Sequence, residues 1–191
     1  MVSVQVLPGR LVSWIGTEPD WDRVYAEQLP RVLNFFRYRL GDTADVEDLT
    51  ARTFEKAWRA RHRYRRDLAG FSTWLLTIAR NVAIDHLRAR QRHEPLDAAA
   101  AVRSPDQTPE QQAVHHCEAQ RLAALLATLE PRQRELIAMK YGAGMTNRAI
   151  AHATGLSESN VGTILHRAVD ALRGRWSEEE RCPAERSART R

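Results

Sequence analysis

Two stretches of this chain place apolar side chains at steps of three and four residues, and this spacing constrains the fold more than any other feature. The stretches cover residues 20–92 (the first lobe) and 118–176 (the second lobe) of the 191 residues. Such steps line one face of an α-helix, whereas a half-buried strand alternates at every second residue. No segment alternates strictly enough to be a strand. The sequence therefore predicts an all-α fold of two small helical domains.

The segment between the lobes, residues 93–117, predicts a flexible acidic linker. It contains three prolines and an alanine-rich run, and residues 93–120 carry five acidic side chains against one basic side chain. Frequent prolines and low hydrophobicity favour a tether that does not pack. The remaining segments are an N-terminal extension, residues 1–19, and a C-terminal tail, residues 177–191.

Positive charge is concentrated in the two lobes. Residues 20–92 carry a net charge of +5 and residues 121–176 carry +4, and the isoelectric point is about 9.7. All but two of the 29 basic side chains are arginine. Planar guanidinium groups suit paired contacts with phosphates and base edges, which favours a polyanionic partner such as nucleic acid. A GC-rich genome would produce the same preference for arginine without any function.

Signals for membrane, secreted or metal-binding proteins are weak or missing. No run approaches the ~18–20 consecutive apolar residues of a membrane span, so we expect a cytoplasmic protein with no membrane partner. Two cysteines, Cys117 and Cys182, are typical of a reducing compartment. His115 and His116 precede Cys117, but adjacent residues of a helix point in different directions, so a solvated helix start is favoured over a metal site. We expect no cofactor and no enzymatic activity.

The first lobe divides into three predicted helices. Pro30 is expected to kink or split the first, because it lacks a backbone donor. The second covers about residues 44–61. The third begins near Ser72, a plausible N-cap, and Trp74 is favoured as a core residue.

Basic and aromatic residues are interleaved between the second and third helices, in residues 59–71. Single-stranded nucleic acid requires charges for its phosphates and ring faces for its unstacked bases, and stacking contributes roughly 1–3 kcal/mol per base. The pattern therefore indicates nucleic-acid contact. A solvated helix end is the alternative interpretation of the arginines.

The second lobe contains the pattern of a helix-turn-helix. Thr146 is expected to cap a short helix, Gly155 to supply a left-handed turn, and Ser157 to cap the next helix. The second helix of such a motif enters the DNA major groove. A helical hairpin without a DNA role is the alternative.

Taken in this order, the segments resemble a bacterial sigma factor of the small extracytoplasmic-function class. Residues 45–59 are similar to the family's core-polymerase-binding segment, and residues 71–88 to the segment that melts and recognises the minus-ten promoter element. Residues 129–135, with the helix-turn-helix that follows, resemble the domain that recognises the minus-thirty-five element. The resemblance covers about residues 20–92 and 118–174, which it implies are sigma domain 2 and sigma domain 4.

The resemblance also implies roles for individual residues. The residues implied in binding core polymerase are Asp45, Asp48, Leu49, Arg52, Phe54 and Trp58, although Phe54 and Trp58 are favoured as core residues. Those implied at the minus-ten element are Arg80, Asn81 and Arg88. The basic and aromatic connection adds Arg61, Arg63, Tyr64, Arg65 and Arg66 to the residues expected at this element. Those implied at the minus-thirty-five element are Arg148, Glu158, Ser159, Asn160, Thr163, His166 and Arg167.

Three positions qualify this assignment. Asn81 and Asp85 suit side-chain bonds to the preceding loop as well as base contact. Gly162 stands in the second helix of the helix-turn-helix, where the family often carries basic residues. A glycine there costs roughly 0.5–1 kcal/mol relative to alanine, and it would also let a phosphate approach closely.

The function that the resemblance implies is that of a sigma factor, which binds core RNA polymerase, directs it to promoters and assists melting. Its implied partners are the polymerase clamp coiled coil and flap, promoter DNA and an anti-sigma factor, with the acidic linker threading the interior channels of the polymerase. A stand-alone helix-turn-helix regulator is the alternative, but it leaves the first lobe unexplained. An interaction module without promoter activity, such as a decoy, is a third hypothesis.

Overall fold

The computed structural model describes residues 21–41, 43–65, 67–93 and 120–188, and every regular element within these ranges is helical. The elements are α1 (Trp21–Leu40), α2 (Asp45–Ala60), a 3-10 turn (Arg61–Arg63), α3 (Phe71–His93), α4 (120–127), α5 (Pro131–Ile137), a π-helical turn (Ala138–Gly142), α6 (Asn147–Thr154) and α7 (Glu158–Ala188). The expectation of an all-α fold is confirmed. The linker and the His115–Cys117 cluster lie outside the described residues.

Helices α1, α2 and α3 pack together as the first lobe, and its predicted helix boundaries need two corrections. Pro30 does not split α1, which runs unbroken through it from Trp21 to Leu40. The proline removes one backbone donor, and the loss of one hydrogen bond does not end a helix of 20 residues. Ser72 is not the N-cap of α3, since the helix already begins at Phe71 and the Trp74 amide donates to the Gly70 carbonyl. The Ser72 hydroxyl instead accepts a hydrogen bond from Arg31.

The helix-turn-helix of the second lobe begins and ends where its capping residues predict. The Ala149 amide donates to Thr146 Oγ1 at 3.2 Å and the Asn160 amide donates to Ser157 Oγ at 3.2 Å, so each hydroxyl satisfies an amide that has no partner within its helix. Gly155 has a φ of 73°, a left-handed conformation that costs glycine little. The predicted turn between α6 and α7 is confirmed.

The two lobes share one hydrophobic core, which the helical spacing within each lobe does not predict. The π-helical turn packs against α1, and the core includes Phe35 and Phe36 from the first lobe and Ile137 and Met139 from the second. The backbones of the two lobes come very close together at Gly142. A Cβ atom added at this position would lie 2.8 Å from the Asn34 carbonyl oxygen. A glycine is therefore required at position 142 for the lobes to pack this closely.

We expect Thr146→Ala to lower the free energy of unfolding by about 1 kcal/mol, because the Ala149 amide would lose its acceptor at the start of α6. Chemical denaturation monitored by circular dichroism measures this change. Thr163→Ala is the matched control, since the Thr163 hydroxyl bonds a carbonyl inside α7 rather than a helix end. A control effect as large as that of Thr146→Ala would contradict the assigned cap.

Candidate nucleic-acid and polymerase interface

The arginine-rich connection between α2 and α3 is built on a cluster of aromatic rings. Tyr64 packs against Phe71 and Trp74, with ring centroids 5.3 and 5.2 Å apart. Trp21, at the start of α1, packs edge-on against Trp58 at 5.0 Å. Edge-to-face packing of this kind holds rings in defined orientations. The connection is therefore a fixed edge of the first lobe.

Trp58 and the aromatic cluster position the basic side chains of this edge. The Arg61 guanidinium lies 4.2 Å from the centroid of the Trp58 ring and donates to the Trp58 carbonyl, so it is held flat on an exposed indole. Arg63 is exposed on the 3-10 turn. An aromatic surface with guanidinium groups beside it offers stacking and charge together, as a single-stranded polyanion requires.

Arg65 and Asp67 form an ion pair at the far end of this edge. Arg65 donates from Nε and Nη2 to the two carboxylate oxygens, at 3.2 and 2.6 Å. The hydrogen bond lowers the pKa of Asp67 and raises that of Arg65. Both groups stay charged near neutral pH, and both are exposed to solvent. Arg66 lies outside the described residues.

On α3, the predicted promoter-facing residues have three different surroundings. Arg80 donates from Nε to Glu135 Oε1 of the second lobe at 2.8 Å. Asn81 is exposed, whereas Asp85 lies 3.7 Å from Lys56 of α2 and therefore contacts a neighbouring helix. Arg88 is exposed in a shallow groove near the end of α3.

The residues predicted to bind polymerase do not share one face of α2. Asp45, Asp48 and Arg52 follow one another at three- and four-residue steps, which makes a charged stripe. Asp48 and Arg52 are exposed, whereas Asp45 is half-exposed and lies 3.6 Å from His86 of α3. Leu49 and Phe54 are buried in the core.

Trp58 lies on another flank of α2 and is 47% exposed, so the expectation that it is a core residue is wrong. Its packing against Trp21 and Arg61 joins it to the arginine-rich edge rather than to the charged stripe. One side of α2 therefore carries the charged stripe, which suits a charged partner. Another side carries Trp58, which packs within the first lobe.

The helix-turn-helix presents a continuous polar surface. The exposed residues on it are Arg148, Glu158, Ser159, Asn160, Thr163, His166 and Arg167, which is every residue predicted at the minus-thirty-five element. Val161, Leu165 and Ala168 point the opposite way, into the core. A Cβ at Gly162 would have ordinary contact with Asn147, at 3.8 Å, so packing does not require this glycine.

Glu135 is the residue of this region that sequence reasoning did not single out as functional. Its carboxylate is buried and accepts hydrogen bonds from Arg80 of the first lobe and from Arg132 of the second, at 2.8 and 2.6 Å. Arg39 adds a third positive charge nearby, although burial lowers its pKa. The only signal in the sequence was an acidic residue among arginines in the segment 131–135, and spacing within one lobe cannot indicate a partner in the other.

Three arginines make four further hydrogen bonds between the lobes. Arg31 donates from Nε to the Ala143 carbonyl at 2.8 Å and from Nη2 to the Gly144 carbonyl at 3.3 Å. Arg39 donates to the Pro131 carbonyl at 3.0 Å, and Arg134 donates to the Tyr38 carbonyl at 3.1 Å. Burial lowers the pKa of the Arg134 guanidinium, and the neighbouring Arg39 acts in the same direction. Hydrogen bonds from arginine side chains to backbone carbonyls therefore lie around the apolar contact between the lobes.

Within the described ranges, no three His, Cys, Asp or Glu side chains lie close enough together to hold a metal ion. The same part of the chain has no helix long and apolar enough to cross a membrane.

Comparisons with known proteins agree with this all-helical fold of two regions. Residues 24–93 match the family model described as Sigma-70 region 2, and residues 119–172 match Sigma-70, region 4. Two such regions, in this order on an all-α chain, define a transcription initiation factor of the sigma-70 type. The chain belongs to the extracytoplasmic-function (ECF) class of RNA polymerase sigma factors.

Two curated relatives support this membership. The chain is similar to the ECF RNA polymerase sigma factor BldN of Streptomyces coelicolor, with 31% identity over 82% of this chain and 60% of the relative. It is also similar to the ECF RNA polymerase sigma factor RpoE of Cereibacter sphaeroides, with 30% identity over 84% of this chain and 88% of the relative.

Two solved structures share the fold. The sigma factor RpoE in complex with the anti-sigma factor NepR, from Bartonella quintana, has a TM-score of 0.69 at 22% identity, over 81% of this chain and 95% of that one. CnrH in complex with the cytosolic domain of CnrY has a TM-score of 0.58 at 23% identity, over 83% and 86% of the two chains.

We expect the Arg80–Glu135 pair to have a coupling energy of about 2 kcal/mol, because Glu135 is buried and each charge is hydrogen-bonded. A double-mutant cycle with Arg80→Gln and Glu135→Gln, measured by chemical denaturation, tests this value. The exposed pair Arg23 and Glu27 is the matched control, for which we expect at most about 0.5 kcal/mol. Equal coupling in the two pairs would mean that Arg80 and Glu135 do not meet in solution.

Proposed function

We propose that the two lobes of this sigma factor divide its work between the polymerase and two promoter elements. The first lobe binds core RNA polymerase through the charged stripe of α2, and it binds the minus-ten element through the arginine-rich edge and α3. The second lobe binds the minus-thirty-five element through the exposed face of the helix-turn-helix. Catalysis belongs to the core polymerase, and we infer no enzymatic activity for this chain.

The observation that carries this proposal is the presence of two different exposed surfaces on one chain, one arginine-rich and aromatic and the other polar and helical. An edge of fixed rings and arginines suits an unstacked single strand, whereas a helix-turn-helix suits duplex DNA. A factor that melts a promoter needs both, because it must hold the duplex at one element and the separated strand at the other. A stand-alone helix-turn-helix regulator has no use for the first surface.

Two further assignments follow from family membership. The sigma factor works in the cytoplasm, and it joins the nucleoid when it is bound to polymerase. An anti-sigma factor is a candidate partner, since the two related structures are complexes of this kind or contain a cytosolic partner domain.

Run-off transcription with purified core polymerase tests the function as a whole. We expect promoter-specific transcripts from genomic templates only when this chain is added. If it binds duplex DNA alone but yields no specific transcripts, the stand-alone regulator is the better description.

We expect Asp48→Arg to weaken binding to core polymerase by about tenfold, because the exposed carboxylate would be replaced by a charge that repels a basic partner surface. Fluorescence anisotropy of labelled sigma factor titrated with core polymerase measures this affinity. Glu47→Arg is the matched control, since it makes the same charge change about 100° around the same helix. If the two variants bind core equally well, Asp48 does not belong to the docking surface.

We expect Arg63→Gln to reduce the salt dependence of promoter binding, with the slope of log affinity against log salt falling by about one unit, because one phosphate contact is lost. Filter binding of the reconstituted holoenzyme over a range of salt concentrations measures the slope. Arg23→Gln is the control, as Arg23 is exposed on α1 and paired with Glu27. An unchanged slope for Arg63→Gln would remove this residue from the DNA interface.

A further inference from the structure

Two arginines from different lobes lie side by side where α1 ends and α5 begins. Arg39 of the first lobe donates from Nη1 to the Pro131 carbonyl at 3.0 Å. Arg134 of the second lobe donates from Nε to the carbonyl of Tyr38, the residue before Arg39, at 3.1 Å. Burial lowers the pKa of Arg134, and the nearby charge of Arg39 acts in the same direction. Two like charges are therefore held together at the contact between the lobes.

The carboxylate of this region is already hydrogen-bonded to two other arginines. Glu135 Oε1 accepts from Arg80 at 2.8 Å, and Oε2 accepts from Arg132 at 2.6 Å. In the part of the chain that the structure describes, neither Arg39 nor Arg134 forms an ion pair. Four guanidinium groups against one carboxylate leave a net charge of +3 at this contact.

Each of these four guanidinium groups still has donors available to a ligand. Each uses only one of its three nitrogens in the hydrogen bonds described above. Within the described ranges, none of the remaining nitrogens is a buried atom without a partner, so these donors reach solvent. A planar guanidinium group forms paired, charge-assisted hydrogen bonds with phosphate oxygens. The contact between the lobes therefore offers several converging charges and open donors to an anion.

We propose that Arg39 and Arg134 form a binding site for a small anion that carries phosphate groups. Arg80 and Arg132 add positive charge beside this site. The net charge of +3 favours a ligand with more than one negative charge. All four side chains are half-buried between the lobes, which favours a compact anion over a DNA duplex. The anion accepts hydrogen bonds from both lobes at once, and its charge offsets the repulsion between the two guanidinium groups.

An anion bound in this way stabilises the packing of the lobes, because a ligand favours the state that it binds more tightly. The inference goes beyond the proposed function and does not depend on it. Arg39 and Arg134 belong to neither the surfaces proposed to bind DNA nor the surface proposed to bind polymerase.

Isothermal titration calorimetry of the full-length chain with inorganic pyrophosphate, at constant ionic strength, tests this site. We expect saturable binding of one pyrophosphate per chain, and weaker binding of inorganic phosphate because it has fewer charges and acceptors. We expect Arg134→Gln to weaken pyrophosphate binding about tenfold, since a charge-assisted hydrogen bond is lost. Arg23→Gln is the matched control, because it removes the same charge from an exposed position and should change the affinity less than about twofold.

Arg63→Gln shows where the anion binds, because Arg63 is exposed on the arginine-rich edge. A loss of affinity in Arg63→Gln as large as that in Arg134→Gln would place the anion on that edge and overturn the proposal. An equal loss in Arg23→Gln would indicate a general effect of charge, which also overturns it. A wild-type chain without saturable binding would show that Arg39 and Arg134 serve only to join the lobes.

The conservative variant Arg134→Lys keeps the test decisive if Arg134→Gln fails to fold, as judged by circular dichroism. Lysine retains the charge but lacks the planar paired donors, so we expect binding to weaken about threefold. Arg23→Lys is its control and should bind as the wild type does. Unchanged affinity in Arg134→Lys would overturn the paired contact with phosphate.

Competition with adenosine triphosphate distinguishes a free inorganic anion from the phosphate chain of a nucleotide. Displacement of pyrophosphate by lower concentrations of the nucleotide than of inorganic tripolyphosphate supports a nucleotide as the ligand at this site. Displacement at equal or higher concentrations supports an inorganic anion.

Discussion

The buried carboxylate of Glu135 is the interaction on which the relative placement of the two lobes depends. A buried carboxylate must be hydrogen-bonded. Arg80 of the first lobe donates to one oxygen of Glu135, and Arg132 of the second lobe donates to the other oxygen. The apolar contact around Phe35 and Ile137 is not directional, so it would tolerate some sliding. Hydrogen bonds from arginine have defined geometry, and they select one docked position among those that the apolar surfaces allow.

The glycine at position 142 and the π-helical turn make this docking sterically possible. The turn moves the chain after Met139 out of the regular helix, which places the Ala143 and Gly144 carbonyls within reach of Arg31. Local departures of this kind often occur at functional sites. In this sigma factor, the π-helical turn lies at the contact between lobes rather than at either of the surfaces proposed to bind DNA.

Much of the helix-turn-helix was predictable from sequence, because caps and turns are local. The hydroxyls of Thr146 and Ser157 each accept a hydrogen bond from the amide three residues later in the chain, and Gly155 adopts a left-handed conformation. None of these features requires a contact with a distant segment. Ser72 also has a hydroxyl near the start of a predicted helix, but it does not cap α3. Arg31, 41 residues earlier in the chain, donates to its hydroxyl, and no pattern within the helix indicates such a partner.

The candidate sites likewise combine features that local spacing predicts with contacts that depend on distant residues. Spacing along α2 places Asp45, Asp48 and Arg52 at three- and four-residue steps, and Asp48 and Arg52 are exposed. The interleaved basic and aromatic residues predict a surface for a polyanion, and this assignment stays a prediction. Spacing alone does not show that Trp21 completes the aromatic cluster, because Trp21 and Trp58 are 37 positions apart.

The sequence by itself determined the all-helical fold, the caps and turn of the helix-turn-helix, and the family, since each depends on neighbours a few residues apart or on the order of motifs. Only the tertiary structure decided that Arg80 pairs with Glu135 and that Gly142 lies against the backbone of α1. The physical reason is that an ion pair between lobes, or a close backbone contact at a glycine, forms only when segments distant in the sequence pack together.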